Sequence, residues 1–597
     1  MFISRLAARQ ARVQSHLPRH IAYRSFTSTI TIGMSMNDDI LTKAVLPDNE
    51  LKNGEKKAVD FGEGKVLLSK INGNVYATSA FCTHYGGPLE KGVLSHDGRL
   101  VCPWHGACFN VCSGDVEDAP GLDSLWSFST NVKNGQIEVT ASKKEVTSKV
   151  GRIVARKRTK DQVQVAEETV VIVGGGSGGI HTLESLRMNG FGGKIVLISA
   201  ENYAPIDRTK MSKQLLDDVG KLQWRTPDEL RDSFGVDFHP GTNVTKVDFE
   251  AQTVTDSSGV VYNYNYLVLS PGGRPKKIPI PGADLKGVVT LRHVEDTKTI
   301  NSFITKDSEV VLIGTSFISM EAASAVLKKG PKSVTLVGMD EVPFQGLLGK
   351  EFGSALMENM KEQGIKFHMN AQIEKITASD SNPGHVGMLH IKGSDPIPAN
   401  LVTMGTGVTP ATSFLEGSVK LEKDGGVLVD EYLHLKGYKN VYAIGDIAHY
   451  IQYPDKFPRR VEHWNVASNH VRRRNCDDRT YLIGKQGREV AHNITHPENP
   501  VSYTKVPIFW SSIGKGLRYL GTGAGYDDMY VDGNFKDFKF AAYQAKGGKV
   551  TAVAAMQRDP IVSKASELMR LDLMPPLEEI KNGKDILQIE LINKGQK

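Results

Sequence analysis

Residues 170 to 179 read Val-Val-Ile-Val-Gly-Gly-Gly-Ser-Gly-Gly, an apolar run that breaks off into glycines. Gly174, Gly176 and Gly179 stand in the G-x-G-x-x-G spacing. There the first glycine permits a tight turn, the second lets the backbone approach a pyrophosphate, and the third lets a helix pack close to the strand. The helix N-terminus beyond then faces the anion. A second apolar run, Lys194 to Ser199, follows, and the acid Glu201 comes just after it, where it is placed to bind ribose hydroxyls.

Apolar runs alternate with helical stretches from Thr169 onward, which predicts α/β architecture with parallel sheets. A related unit opens at Val310-Val-Leu-Ile-Gly314, with Ser316 and Ser319 where the second and third glycines would stand. Its next strand, Ser333–Val337, is followed by Gly338 instead of an acid, with Asp340 and Glu341 nearby. No arginine replaces that acid to meet a 2′-phosphate, which favours NADH and leaves NADPH open.

Residues 38–142 read as short β runs broken by Gly and Asn, a small all-β domain. Residues 143–168 are charged and lack apolar periodicity, as a linker would be. Residues 500–597 return to mixed strands and helices, an α+β domain. The 597 residues suit three to five domains of roughly 100–200 residues.

The 73 basic and 67 acidic residues give a net charge of +6, distributed unevenly. Residues 1–37 hold Arg5, Arg9, Arg12, Arg19 and Arg24 and no Asp, Glu or Lys, the pattern of a mitochondrial transit peptide. The expected address is mitochondrial, matrix or intermembrane space, with the cytoplasm as the alternative. The remainder carries 68 basic and 67 acidic residues, which argues against nucleic-acid binding. The run Arg472-Arg473-Arg474 reads as a solvated helix face. No stretch of about 18 apolar residues is present, so no transmembrane segment is expected.

Four of the five cysteines, Cys82, Cys102, Cys108 and Cys112, lie close together. Cys82-Thr-His84 and Cys102-Pro-Trp-His105 make two mixed pairs, each running into a glycine. A Cys2His2 zinc finger would pair Cys with Cys and His with His. Two cysteines on one iron and two histidines on the other is the ligand set of a Rieske [2Fe–2S] centre. Cys82, His84, Cys102 and His105 are therefore the candidate metal ligands. Cys108 and Cys112 are expected to be free and buried, because reducing compartments disfavour structural disulfides.

The segment from Cys82 to Pro120 resembles a Rieske domain. Respiratory Rieske proteins carry two further cysteines where this chain has Gly87 and Trp104. The resemblance is thus to the ferredoxin and oxygenase branch, which implies a potential toward the low end of roughly −150 to +300 mV. Residues 169–490 resemble the pyridine-nucleotide flavoprotein reductases (class I, FAD-dependent). The resemblance rests on Gly174–Gly179, on Tyr266-Leu-Val-Leu-Ser-Pro-Gly272, on Gly314, on Gly405-Thr-Gly407, and on Val441-Tyr-Ala-Ile-Gly445-Asp446. It implies an FAD domain at 169–297 and 405–490 and an NAD(P)H domain at 298–404. Asp446 would then bind the ribityl hydroxyls.

No Cys-x4-Cys follows the first dinucleotide unit, so a dithiol relay is excluded. Asp207-Arg208-Thr-Lys-Met-Ser-Lys213 instead resembles the matching segment of ferredoxin reductases and apoptosis-inducing factors. That resemblance places Arg208 at FAD and Lys213 at the flavin, paired with Glu321, as the catalytic candidates; an ordinary structural ion pair is the alternative. Glu462-His463-Trp464 makes Trp464 a candidate for stacking on the flavin, with core packing as the alternative. The C-terminal Val506-Pro507-Ile-Phe509-Trp510 resembles the third domain of this group and allows a homodimer. The whole order resembles apoptosis-inducing-factor-like flavoproteins with an N-terminal Rieske domain. It implies FAD, a [2Fe–2S] cluster and NADH or NADPH as donor. Hydride would pass to FAD, and single electrons to the cluster and on to an unidentified acceptor. The alternatives are a slow, redox-controlled signalling or apoptosis-related interaction protein, and the reductase component of an oxygenase system.

Overall fold

The computed structural model describes residues 39–154, 168–453, 456–469 and 489–592. The transit-type segment, residues 155–167 of the linker, Arg472–Arg474 and Cys476 lie outside the described residues.

The N-terminal domain is built on a six-stranded antiparallel sheet, ordered Ile40–Pro47, Gln136–Ser142, Ser127–Lys133, Asn74–Ser79, Gly64–Ile71, Lys56–Phe61. Two of its hairpins turn at Asn72-Gly73 and Asn134-Gly135, where both residues have positive φ. Asn-Gly is the pair that tolerates this and matches the twist of the flanking strands. A smaller sheet, Val93–Leu94, Arg99–Val101, Cys108–Asn110 and Val116–Asp118, carries the cysteine- and histidine-bearing loops at one end.

The stretch read as a linker opens differently from that expectation. Lys143–Thr147 is a helix, capped by the Ser142 side chain accepting from the Glu145 amide, and Val146 packs over Gly64. Arg152 then bridges to Ser124 in both backbone directions, so the chain straps onto the β domain before leaving it.

Next comes a five-stranded parallel sheet, ordered Val236–His239, Lys194–Ile198, Thr169–Val173, Tyr266–Leu269, Val441–Ala443. Apart from the edge strand Val236–His239, its strands are almost continuously buried, as parallel strands covered on both faces must be. Inserted within it is a second such sheet, ordered Val288–Val289, Leu401–Met404, Glu309–Ile313, Ser333–Val337, Ile365–His368. Because Val288 pairs with Val402, the inserted unit begins before residue 298. The last domain is a five-stranded antiparallel sheet, from Ile508–Ser511 to Lys549–Met556, backed by the helix Ile561–Arg570. Its core is continuous with the N-terminal domain: Val93, Val101 and Cys108 belong to the same buried cluster as Ile508, Leu520 and Val553.

Candidate redox centres

The two cysteine–histidine loops have one backbone design. The Cys82 amide donates to the Gly87 carbonyl at 2.9 Å, and the Cys102 amide donates to Ala107 at 2.7 Å. Gly86 and Gly106 close the turns onto the Cys82 and Cys102 carbonyls, at φ of +74° and +73°. Only glycine adopts that conformation without strain, which is why each pair ends in one. The turns aim the His84 and His105 Nδ1 atoms at each other, 3.1 Å apart, close enough for one ion to bridge. Burial lowers His84 to about 4 and, together with the charge of His84, lowers His105 to about 2. Both rings are thus neutral at pH 7, the form that binds metal.

On the other side the thiols of Cys82 and Cys102 share a hydrogen bond. Each sulfur also receives backbone N–H groups, from His84 and Tyr85 and from Trp104 and His105 respectively. Among the described residues, no three or more His, Cys, Asp or Glu side chains converge to hold one metal ion. Two separate pairs, sulfur and nitrogen, fit a two-iron cluster and do not fit a tetrahedral zinc site. Gly87 and Trp104 lie against each other: a Cβ on Gly87 would sit 3.1 Å from the indole of Trp104. Cys108 forms no disulfide and is fully buried, as expected. Cys112 corrects the expectation, because it is disulfide-bonded. It lies half-buried on a turn, not sealed in the core.

A cavity of about 570 Å³ opens at the carboxyl ends of the first parallel sheet, a size suited to a cofactor. Gly174, Gly176, Glu201, Arg208, Gly272, Gly445, Asp446 and Trp464 all line it. A Cβ on Gly174 would meet the Ser270 carbonyl at 2.1 Å, and one on Gly179 would meet the Gly174 carbonyl at 2.1 Å. A Cβ on Gly176 would meet nothing within 4 Å. That open space lies before the N-terminus of the helix Ser177–Met188, where a pyrophosphate is favoured. Glu201 accepts from Tyr203 at 2.9 Å and His293 at 2.8 Å, and pairs with Arg208. Burial alone would raise its pKa, but His293 and Arg208 outweigh it and hold the carboxyl at about 2. Arg292, which carries no sequence signal, joins Gly272 to Asp446 through a 3.3 Å ion pair.

In the inserted unit Gly314 has φ +100° and turns as expected. Ser319 occupies the third glycine position and donates to the Ile313 carbonyl at 3.3 Å. It is accommodated because residue 405 is glycine: a Cβ there would lie 2.0 Å from the Ser319 hydroxyl. An acid at 338 would not fit either, since a Cβ would already meet Thr315 and Met369 at 2.7 and 2.8 Å.

Lys213 and Glu321 are paired at 3.0 Å but do not line the cavity. Glu321 is buried and also accepts from Ser212 and Ser511, both at 2.6 Å. The charge of Lys213 depresses the pKa of His84, His105 and His463, second to burial at His463. The pair therefore lies near the two ligand histidines and His463. Trp510 contacts both those histidines and Trp464, a relation not written in local spacing. Its ring centroid is 4.2 Å from His105, 5.2 Å from His84 and 5.4 Å from Trp464. Trp464 continues to Trp224 at 6.1 Å, and both line the cavity.

Residues 168–470 match the Pyridine nucleotide-disulphide oxidoreductase family, and residues 42–129 match the Rieske [2Fe-2S] domain. The chain is 34% identical over 535 residues to "Apoptosis-inducing factor 3" of Homo sapiens, covering 89% of this chain and 84% of that protein. It is 29% identical to "Rhodocoxin reductase" of Rhodococcus erythropolis over 65% of this chain and 86% of that one. The structure of the covalent putidaredoxin reductase–putidaredoxin complex superposes with a TM-score of 0.62 at 25% identity, covering 71% of this chain and 97% of that one. Glycine cradle, paired ligand loops and these likenesses agree on a Rieske [2Fe–2S] centre joined to an FAD-dependent NAD(P)H oxidoreductase, and the chain belongs to the pyridine nucleotide-disulphide oxidoreductase family.

Proposed function

We propose that this protein oxidises NADH and delivers the electrons singly, through its own Rieske centre, to a separate one-electron acceptor. A nicotinamide gives up a hydride, a flavin can take two electrons and release them one at a time, and a [2Fe–2S] cluster carries one. The residues of this chain support each requirement. Gly174, Gly176 and Gly179 shape the pyrophosphate cradle, and Arg208, Gly272 and Asp446 frame the cavity, with Gly314 turning the chain at the second dinucleotide site. Lys213, paired with Glu321, would stabilise negative charge on a reduced ring. Cys82, His84, Cys102 and His105 would hold the cluster.

The observation that carries this reading is the aromatic contact from Trp464, at the cavity wall, through Trp510 to both histidines. It supports a reading in which the flavin and the cluster lie on opposite sides of this pair of indoles. The relatives include the "Benzene 1,2-dioxygenase system ferredoxin--NAD(+) reductase subunit" of Pseudomonas putida, consistent with a protein acceptor. NADH is favoured because Asp340 and Glu341, and no arginine, follow the strand Ser333–Val337. The acid-free, arginine-bearing first 37 residues support a mitochondrial address, which a fluorescent fusion of the full chain would test.

Anaerobic NADH should bleach the flavin absorbance and then raise the electron paramagnetic resonance signal of a reduced Rieske centre. A bleached flavin with a cluster that stays oxidised would overturn this order of transfer.

A further inference from the structure

Domains joined in one chain move relative to each other by default unless their interface is large and apolar. Here the β domain and the C-terminal domain share a core, in which Val101 and Cys108 are packed with Ile508 and Leu520. The second ligand loop rests directly on that sheet: a Cβ on Gly106 would lie 2.6 Å from the Ile508 side chain. The C-terminal domain also holds the loop carbonyls. Ser563 donates to the Cys102 carbonyl at 2.9 Å, and Arg518 donates to the Trp104 carbonyl at 3.2 Å. On the flavin-domain side, Tyr85 donates to Asp207 at 3.1 Å and Arg225 donates to Asp123 at 2.5 Å.

Beneath the loops lies a buried ionic cluster that crosses the boundary. Arg99 is 3% exposed and Glu567 is 1% exposed. Arg99 donates to Glu117 at 2.8 Å within its own domain and to both oxygens of Glu567 at 3.3 Å across the boundary. Arg570 completes the crossing by pairing with Glu567 at 2.6 Å and Asp97 at 3.0 Å. Separating the domains would strip these buried charges of cross-domain partners and wet the shared core together.

We infer that the Rieske domain is a permanently seated internal partner of the reductase, and not a carrier that undocks between receiving and delivering an electron. This rests on the flavin-to-cluster reading above. Transfer into the cluster then takes place across a standing contact, and an external acceptor is served while the histidine face remains against Trp510. Encounter between separate charged partners depends steeply on salt, whereas a standing contact does not.

Two measurements on the full-length holoprotein test the inference. In anaerobic single-turnover kinetics, the rate of cluster reduction by the NADH-reduced flavin is expected to be unchanged by glycerol. It is also expected to be unchanged from about 0.01 to 1 M salt, which shortens the screening length from roughly 30 Å to 3 Å. A rate that falls in proportion to viscosity overturns the seated domain while leaving flavin-to-cluster transfer intact. No cluster reduction at all would instead sink the transfer reading, and the seating is then decided by the second measurement. Cys108 is a native reporter in the shared core, so alkylation read by peptide mass spectrometry should reach it only when the protein unfolds globally. Labelling of Cys108 in the folded protein overturns the proposal.

Discussion

The imidazole of His105 lies 4.2 Å from the indole of Trp510, centroid to centroid, with the planes inclined by 37°. The contact joins residues more than four hundred positions apart and makes the C-terminal domain part of the cluster's surroundings. Replacing Trp510 by leucine should slow cluster reduction by about tenfold, equivalent to ~1.4 kcal/mol of barrier. Flavin bleaching by NADH should be unaffected. Stopped-flow absorbance at the two chromophores separates the steps, and equal slowing of both would refute this assignment.

Glu321 is buried with Lys213 on one oxygen, Ser511 on the other, and Ser212 beside the lysine. Glu321→Gln leaves the Lys213 ammonium without its counter-charge. Breaking a buried pair from one side costs about 3–5 kcal/mol, and the partial exposure of Lys213 puts this case at the lower end. Thermal unfolding should show a lowered midpoint, partly recovered when Lys213→Met is combined with Glu321→Leu. A midpoint unchanged by Glu321→Gln would show the pair to be electrostatically idle.

Glu201 is held near 2, against an ordinary 4.5, despite its burial. Because the folded value lies below the unfolded one, its stabilisation is complete above pH 4.5 and is lost as the pH falls toward 2. At about 1.4 kcal/mol per unit, this amounts to ~3 kcal/mol across that window. Acid unfolding should therefore be steep below pH 4.5, and Glu201→Gln should flatten it. A profile that keeps its slope in that variant would place the acid sensitivity elsewhere, with Glu567, also held near 2 by Arg99 and Arg570 against burial, as the next group to replace.

Glu341 pairs with Lys350 beyond the end of the strand Ser333–Val337. With Glu341→Ala the lysine is released to meet a 2′-phosphate. The KM for NADPH should then fall by about tenfold, ~1.4 kcal/mol, with that for NADH little changed. Steady-state kinetics with both coenzymes checks it, and an unaltered NADPH KM would place the discrimination at another position.

What could be read from the sequence was whatever depends on neighbours along the chain. Gly174, Gly176 and Gly179 declare a turn, and Cys82, His84, Cys102 and His105 declare two ligand loops, because each pattern is enforced by local backbone geometry. The limits of the inserted unit were blurred because Val288–Val289 is a two-residue strand recognisable only by its pairing with Leu401–Met404. Arg292 looks like any surface arginine until Asp446 is brought to it. Cys112 was expected to be a free thiol from the redox compartment, whereas pairing depends on which sulfur the fold brings near. The shared core around Cys108 was invisible for a related reason: each half reads as an ordinary apolar strand.

Ser319 and Gly405 occupy one small volume between them, with the hydroxyl standing where a Cβ on residue 405 would go. The unit of design there is the pair, and the space can be assigned either to the helix Phe317–Leu327 or to the turn after the strand Leu401–Met404. Exchanging the two, serine to glycine at 319 and glycine to alanine at 405, should be tolerated where the second change alone is not. An inventory that scores glycines one position at a time would count the first change as a repair and the second as damage. The molecule would register neither, because the packing it requires has only changed address.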